Sequence, residues 1–436
     1  MRRALYVVLS WLAFLLLAPL LLLARKTRGG FRQRFGVYRP GEVPGGGWPR
    51  VWLHGASAGD LQALAPMIGR FRDRFPDARI LLTTITDTGR AMAAQRLSSQ
   101  VDAVLFAPWD LAGSTARAMA ALRPDVLVLE YAEIWPNLIA AARRSGARVV
   151  LTNGRFSPER LRGYRTLFAL FGNPLAELDL LLMREDDEAE RALSLGAPLD
   201  RVWVTGNTKF DGLSVPGPSP EDDALRAVLG LPVGVPVLMA GSTHEGEEEI
   251  LLGVWERVRR TVPELRLVLA PRYVDRAPRV LSMVQGRGLR AARRSQGPPG
   301  APVMILDTIG ELARAYRLAT LVFVGGSFTS RGGQNILEPA AQGKPVLFGP
   351  RMENFRDSVQ VLLGRGGIQV ADAEQLERVV TELLARPEVV ADLGALALQS
   401  VRQVSGASQR NVDLMARLLL GAGGSPAASA RAAGAR

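Results

Sequence analysis

The chain has 436 residues, 47% hydrophobic and 22% charged, enough apolar material for two ordinary domains and too much for a disordered chain. It has no cysteine and only two histidines, His54 and His244, which excludes disulfide frameworks, thiolate zinc sites, cysteine nucleophiles and a histidine-rich metal centre. A formal net charge of +12 points to an anionic partner, whether nucleic acid, a membrane surface or an acidic small molecule.

Taken in chain order, the first element is apolar. Ala4 to Ala24 form 21 uncharged residues interrupted by Ser10, long enough to cross a bilayer core as a helix. The rival is a cleaved signal peptide, but "APLLLLARK" keeps leucines where a small-residue cleavage site would sit, so the reading is a membrane anchor with its basic flank over residues 1–30. Arg25, Lys26, Arg28, Arg32 and Arg34 follow it, against Arg2 and Arg3 before it, which places the body on the cytoplasmic side of the membrane, its basic cluster against anionic lipid.

Short apolar runs then alternate with longer amphipathic ones, as expected of parallel sheets covered on both faces. "VWLHG", "ARILLTT", "VDAVLFA", "DVLVLE", "RVVLTNG", "DLLLM" and "RVWVTG" read as strands of one domain, 31–213. Proline, glycine and serine cluster in "DGLSVPGPSPEDD", after which "PVLMAGS", "LRLVLAP", "PVMIL", "LVFVGGS" and "PVLFG" begin a second domain of the same class, 214–420. It closes on a helix near residues 408–420, and 421–436 reads as a disordered tail. Two Rossmann-like α/β domains in series would bring two sets of strand-end loops to a common cleft.

The chemistry-bearing residues fall after strands. "HGASAGD" puts Gly55, Gly59 and Asp60 at a strand-to-helix turn: a substrate-facing loop or a tight turn with a helix-dipole carboxylate. It lacks the lysine and hydroxyl of a Walker loop. In "LEYAEIWPNLI", Glu130 and Glu133 stand at the mouth of a site or cap the helix that Pro136 opens. "GNTKFD" carries Lys209; with Lys26 and Lys344 it is one of three lysines in the chain, so its position suggests an anionic ligand as well as a solvated charge.

In the second half, Ser242, Thr243 and His244 of "MAGSTHEGEEEIL" suit a phosphate or carboxylate at a helix start, while Glu247, Glu248 and Glu249 read as helix-dipole and surface residues. No second histidine follows "HE" at zinc-protease spacing, so no metal site is expected. Arg272 ends a strand as a charged fork for phosphate or carboxylate. In "LVFVGGSFTSRGGQNILEPAAQGKPVLFGP", Gly326 and Ser327, a mobile Arg331–Gly333 loop, Asn335, Glu338 and Lys344 read as an ordered series at the carboxyl edge of a sheet, with Glu338 placed to accept ribose hydroxyls.

These segments, from "GASAGD" through "GNTKFD" and "STHEGEEEIL" to "GGQNILEPAAQGKPVLFGP", resemble in order the 3-deoxy-D-manno-octulosonic acid (Kdo) transferases of lipopolysaccharide synthesis, over about Arg32 to Leu420. The resemblance implies a GT-B glycosyltransferase with no metal or other cofactor and no nucleic-acid partner. It would move Kdo from CMP-Kdo, bound mainly by the second domain, to a lipid A precursor approached from the membrane and the first domain. Asp60 stands at the position of the family's catalytic glutamate; Lys209, Arg272, Ser327, Asn335 and Glu338 match its donor side. The chain departs from the family pattern at Asp60, at Tyr131 and Ala132 within a Glu-Thr-Glu run, and at Tyr273 and Gln334, where histidines are usual. Two rival classes are a nucleotide-binding paralogue without turnover or with altered specificity, and a GT-B epimerase or hydrolase, which would release product without an acceptor.

Overall fold

The computed structural model describes residues 2–23, 29–213, 219–296 and 300–421. The expected tail, the strongest part of the basic flank (Arg25, Lys26, Arg28) and the centre of the interdomain linker lie outside the described residues.

Two compact units emerge: Met1–Gly212 with Ser405–Arg436, and Leu213–Val404. The first holds a parallel sheet of β1 (Arg50–His54), β2 (Arg79–Thr84), β3 (Ala103–Phe106), β4 (Val126–Glu130), β5 (Arg148–Gly154), β6 (Leu180–Met183) and β7 (Val202–Val204), in the order β3-β2-β1-β4-β5-β6-β7. The second holds β8 (Val237–Thr243), β9 (Arg266–Pro271), β10 (Ala291–Arg293), β11 (Val303–Ile305), β12 (Leu321–Val324), β13 (Val346–Phe348) and β14 (Gly367–Gln369), in the order β10-β11-β9-β8-β12-β13-β14. This is the GT-B plan of two Rossmann-like units.

Central strands are buried on both faces and therefore read as unbroken apolar runs. Val51, Leu53 and Val128 point into one layer of the first sheet, Trp52, Leu127 and Leu129 into the other. In each sheet the chain reverses its winding direction beside the first strand, at β1/β4 and at β8/β12. Open α/β sheets build their sites at the carboxyl ends of strands flanking such a reversal.

The domain boundary differs from the expected contiguous one. The last helix, Ala407–Gly421, returns to the first unit, where Val412, Met415 and Leu419 join the core beneath Met67 and Phe71. Asp211 secures the return by accepting backbone N–H bonds from Gly406 and Ser408.

The N-terminal helix Arg2–Leu23 is apolar and long enough to cross a membrane. One of its faces lies on the first unit: Tyr6 Oη donates to Asp110 Oδ2 at 2.8 Å, and Phe14 stacks edge-on against Phe35 at 5.7 Å. Leu5, Val8, Leu12, Leu15 and Leu16 are exposed. Arg34 corrects the reading of the basic flank. It is fully buried, donates to the Gly29 and Ile85 carbonyls at 2.8 and 2.7 Å, and lies over the Phe106 ring, so it is a structural cation and not a lipid contact.

Candidate active site

In the first unit the site grows from the ends of β1, β4 and β5. Ser57 caps the helix Ala58–Arg74, and Asp60 is the third residue of that helix. Ser57 donates its backbone N–H to Asp60 Oδ2 at 2.7 Å, a capping box in which aspartate fills the usual glutamate position. Oδ1 accepts no hydrogen bond from the described residues and the side chain is partly exposed. The turn and site readings of Asp60 are thus compatible. Gly55 is required by close approach, since a Cβ there would sit 2.9 Å from Asp60 Cβ; Gly59 is exposed within the helix, where a Cβ would only make ordinary contact with Ser57 Oγ at 3.7 Å.

Behind Asp60 lies a buried carboxyl. Glu130, at the end of β4, neither caps a helix nor reaches solvent: it is fully buried, with Thr152 Oγ1 at 2.7 Å and Asn153 Nδ2 as a second partner. Asn153, which adopts a left-handed φ of 50°, also accepts the Thr208 N–H at 2.9 Å, and Thr208 Oγ1 donates to the Ala63 carbonyl at 2.6 Å. The network therefore joins β4, β5, the segment carrying Lys209 and the helix that presents Asp60. Burial, with a smaller contribution from the Asp60 charge, pushes the Glu130 carboxyl up to about 8. Thr152 Oγ1 and Asn153 Nδ2 both donate to this carboxyl and act against the rise.

Tyr131 follows with a φ of 55°, a strained value for a non-glycine residue. Glu133 accepts from Trp135 Nε1 at 2.7 Å and lies 3.8 Å from His54 Nε2. His54 is buried and bonded to Thr83 through Nδ1 at 3.0 Å. Lys209 is exposed on its short turn.

In the second unit the residues around β8 and β12 converge on Glu247. This side chain, expected at the surface, is completely buried and accepts three backbone N–H groups: His244 at 2.9 Å, Gly326 at 2.7 Å and Phe328 at 2.9 Å. It locks the loop after β8 to the loop after β12. Gly325 lets the two meet, because a Cβ there would lie 2.6 Å from the Ser242 carbonyl and 2.9 Å from Glu247 Oε2. Glu248 is buried too, accepting from Thr243 Oγ1 at 2.9 Å and from Arg276 at 2.7 Å.

Around this latch the expected donor residues separate into two groups. His244, Arg272, Asn335 and Glu338 form one polar cluster: His244 Nε2 is 3.4 Å from Gln334 Nε2, its ring packs edge-on against Tyr273, and Asn335 Nδ2 donates to Glu338 Oε1 at 3.2 Å. Burial raises the Glu338 carboxyl, while Asn335 and Arg272 act the other way. Burial, then Arg331 and Arg276, push His244 down from its ordinary value. Ser242, at a φ of 56°, meets Tyr316, and Arg272 is exposed at the end of β9.

Thr243 and Ser327 face inward instead. The Thr243 hydroxyl serves Glu248; Ser327 Oγ donates to the Val324 carbonyl at 2.6 Å and accepts the Gly349 N–H at 2.8 Å, tying β12 to β13. The glycine loop is likewise tethered, with Gly333 N–H on the Gly326 carbonyl at 2.9 Å. Lys344 precedes β13 and so lies at the amino edge of the sheet, opposite the carboxyl-edge position expected for it. Among the described residues no group of three or more His, Asp or Glu is arranged to hold a metal ion.

Residues 29–212 match the family described as 3-deoxy-D-manno-octulosonic-acid transferase (kdotransferase). A 3-deoxy-D-manno-octulosonic acid transferase from Bordetella pertussis is 33% identical over 377 residues, covering 84% of this chain and 86% of that one. The chain belongs to the Kdo transferase family. Its relative from Chlamydophila psittaci is 31% identical over 383 residues, covering 86% of this chain and 87% of that one. This Kdo transferase is therefore a glycosyltransferase, and both units are covered by the likeness. A UDP-GlcNAc 2-epimerase from Neisseria meningitidis, solved with UDP-GlcNAc, shares the fold at a TM-score of 0.58 and 15% identity, covering 84% of this chain and 100% of that one.

The sequence pattern does not single out Asn153 or Thr208, and it points to the surface for Glu247, which is buried. Asn153 is the last polar residue of a buried strand, a weak signal by itself. Glu247 is hidden in a run of three glutamates at a helix start, where the dipole accounts for all of them equally.

Proposed function

We propose that the chain transfers Kdo from CMP-Kdo to a hydroxyl of a lipid A precursor at the inner membrane, with Asp60 as general base. The observation that carries this reading is Asp60 on the first turn after β1, held by Ser57 through one oxygen with the other unengaged. A base needs a fixed position and a lone pair within about 2.6–3.2 Å of the proton it takes. In the reaction the acceptor oxygen forms a bond to the anomeric carbon of Kdo, its proton passes to Asp60, and the bond to the CMP phosphate breaks with its electron pair leaving on CMP.

On the donor side, Glu338 accepts ribose hydroxyls, Asn335 orients it, and Arg272 meets the phosphate or the Kdo carboxylate. Fixed charges and amides aimed at the departing phosphate act where negative charge develops. The N–H of Gly326 is committed to Glu247, so Gly326 serves through backbone shape, and Ser327 and Thr243 serve by holding the loops. Ser242 and His244 line the cytidine end, Gly59 lets the acceptor approach the helix amides, and Lys209 offsets donor charge. The exposed leucine face of the helix Arg2–Leu23 anchors the body in the bilayer, with anionic lipid beneath the basic flank.

Membranes containing the full chain, incubated with CMP-Kdo and a lipid A precursor, test the reading by the mass of the lipid. Addition of one or more Kdo residues supports it. Free Kdo without a heavier lipid, or transfer only from a different nucleotide sugar, contradicts it.

A further inference from the structure

The second unit carries a groove of about 540 Å³ that the donor loops leave untouched. It opens at the amino edge of the sheet, between Pro236 before β8, Thr320 before β12 and Lys344 before β13, with Arg226, Arg317 and Pro387 around it. The donor loops leave the same strands at the opposite edge. β12 is 4 residues long, which sets the two edges at least about 13 Å apart.

Its charge is unbalanced. Lys344 is partly buried, and among the described residues no hydrogen bond or ion pair engages its ammonium. Burial, then the Arg226 and Arg317 guanidiniums, push the ammonium down from its ordinary value. Asp222 is paired with Arg317 at 3.2 Å, and Glu264 is exposed on the rim. Thr320 Oγ1 accepts the Val237 N–H at 3.0 Å and keeps its own proton to donate. The 18-residue helix Pro387–Val404 starts at the wall and adds the positive end of its dipole.

An ammonium withdrawn from water beside two guanidiniums is unfavourable unless an anion joins it. Two converging cations, a hydroxyl donor and a helix start suit a tetrahedral dianion, to which guanidinium binds through paired N–H groups and ammonium as a point charge. We propose that this groove is a second anion site, selective for phosphate as inorganic phosphate or as a phosphate monoester, with Lys344 and Arg226 as its charge partners and Thr320 as hydrogen-bond donor. The site is independent of the Asp60 chemistry and of the donor loops.

The chain has only three lysines, so amine acylation followed by peptide mass spectrometry reads Lys344 against Lys26 and Lys209 in the unaltered full-length protein. The probes are inorganic phosphate, and phosphatidate in phosphatidylcholine mixed micelles, each against sodium chloride of equal ionic strength. At ten times its dissociation constant a bound anion should slow Lys344 acylation about tenfold, while Lys26 is unchanged by phosphate and Lys209, outside the basic flank, is unchanged by phosphatidate. Selective protection by phosphate supports a soluble ligand; selective protection by phosphatidate alone supports the same site filled by a lipid headgroup. If phosphate does not slow Lys344 beyond Lys26 and phosphatidate does not slow it beyond Lys209, the proposal is wrong. Saturating CMP in a parallel sample should leave Lys344 reactive; protection by CMP equal to that by phosphate would also overturn a separate site.

Discussion

The Ser57 N–H donates to Asp60 Oδ2 at 2.7 Å, and the Asp60 N–H returns a bond to Ser57 Oγ at 3.4 Å. One carboxylate thus caps a helix through one oxygen and leaves the other unengaged among the described residues. Substitution separates these roles. Asp60→Asn keeps an oxygen for the Ser57 N–H and should remain within about 0.5 kcal/mol of the parent, whereas Asp60→Ala breaks the box and should cost about 1 kcal/mol. Urea unfolding of the two variants checks this; equal stabilities would remove the capping role.

Glu130 gives a pH-dependent prediction. Its folded value of about 8 exceeds the ordinary carboxyl value of 4.5, so the folded state holds a proton that the unfolded chain has released. Stability should therefore fall as pH rises from about 4.5 to about 8, by an amount on the order of a few kcal/mol. Glu130→Gln can keep the partners Thr152 and Asn153 and carries no titration. Its stability relative to the parent should rise from pH 5 to pH 8, measured by urea unfolding at both values. A difference independent of pH would show that Glu130 is not held neutral.

Glu247 accepts three backbone N–H groups with two carboxylate oxygens, and Glu247→Gln leaves only one acceptor oxygen to meet them. A buried donor without a partner costs about 1–3 kcal/mol. The loops after β8 and β12 should loosen, and CMP affinity measured by calorimetry should drop about five- to hundredfold, the same energy expressed as a binding ratio. Unchanged affinity would mean that the latch is not needed to shape the donor site.

Ser327 should behave in the opposite way. Its hydroxyl links the Val324 carbonyl and the Gly349 N–H, so Ser327→Ala should lower stability by about 1–3 kcal/mol. CMP affinity should stay within about twofold, a difference of roughly 0.4 kcal/mol. A large loss of affinity at full stability would return Ser327 to direct contact with the donor.

These contrasts show what the amino-acid order makes legible. Seven strands of the first sheet and five of the second are apolar runs and were readable; the central ones are buried on both faces, whereas the edge strand β7 leaves Trp203 and Val204 exposed. The edge strands β10 and β14, three residues each and containing Arg293 and Gln369, have no such pattern. The apolar stripe of the helix Ala407–Gly421 announces a helix but not which core receives it. For Asp60 the helix-start position was legible, and the capping box with Ser57 bears it out, while spacing left the substrate-facing reading beside it. Ser327 and Thr243 have the residue types of ligand contacts, and only tertiary packing turns their hydroxyls inward. Arg34 looked like part of a lipid-facing cluster for the same reason: composition gives charge, while burial is decided by Phe106 and Trp109 far along the chain.

The central claim concerns the free oxygen of Asp60, and single-turnover transfer by Asp60→Asn tests it most directly. With CMP-Kdo and lipid A precursor both saturating, the rate should fall by about 10²–10⁴-fold, the usual contribution of a general base. CMP affinity and unfolding midpoint should match the parent. Transfer within about threefold of the parent rate, a difference of only about 0.7 kcal/mol in barrier height, would show that Asp60 is not the base.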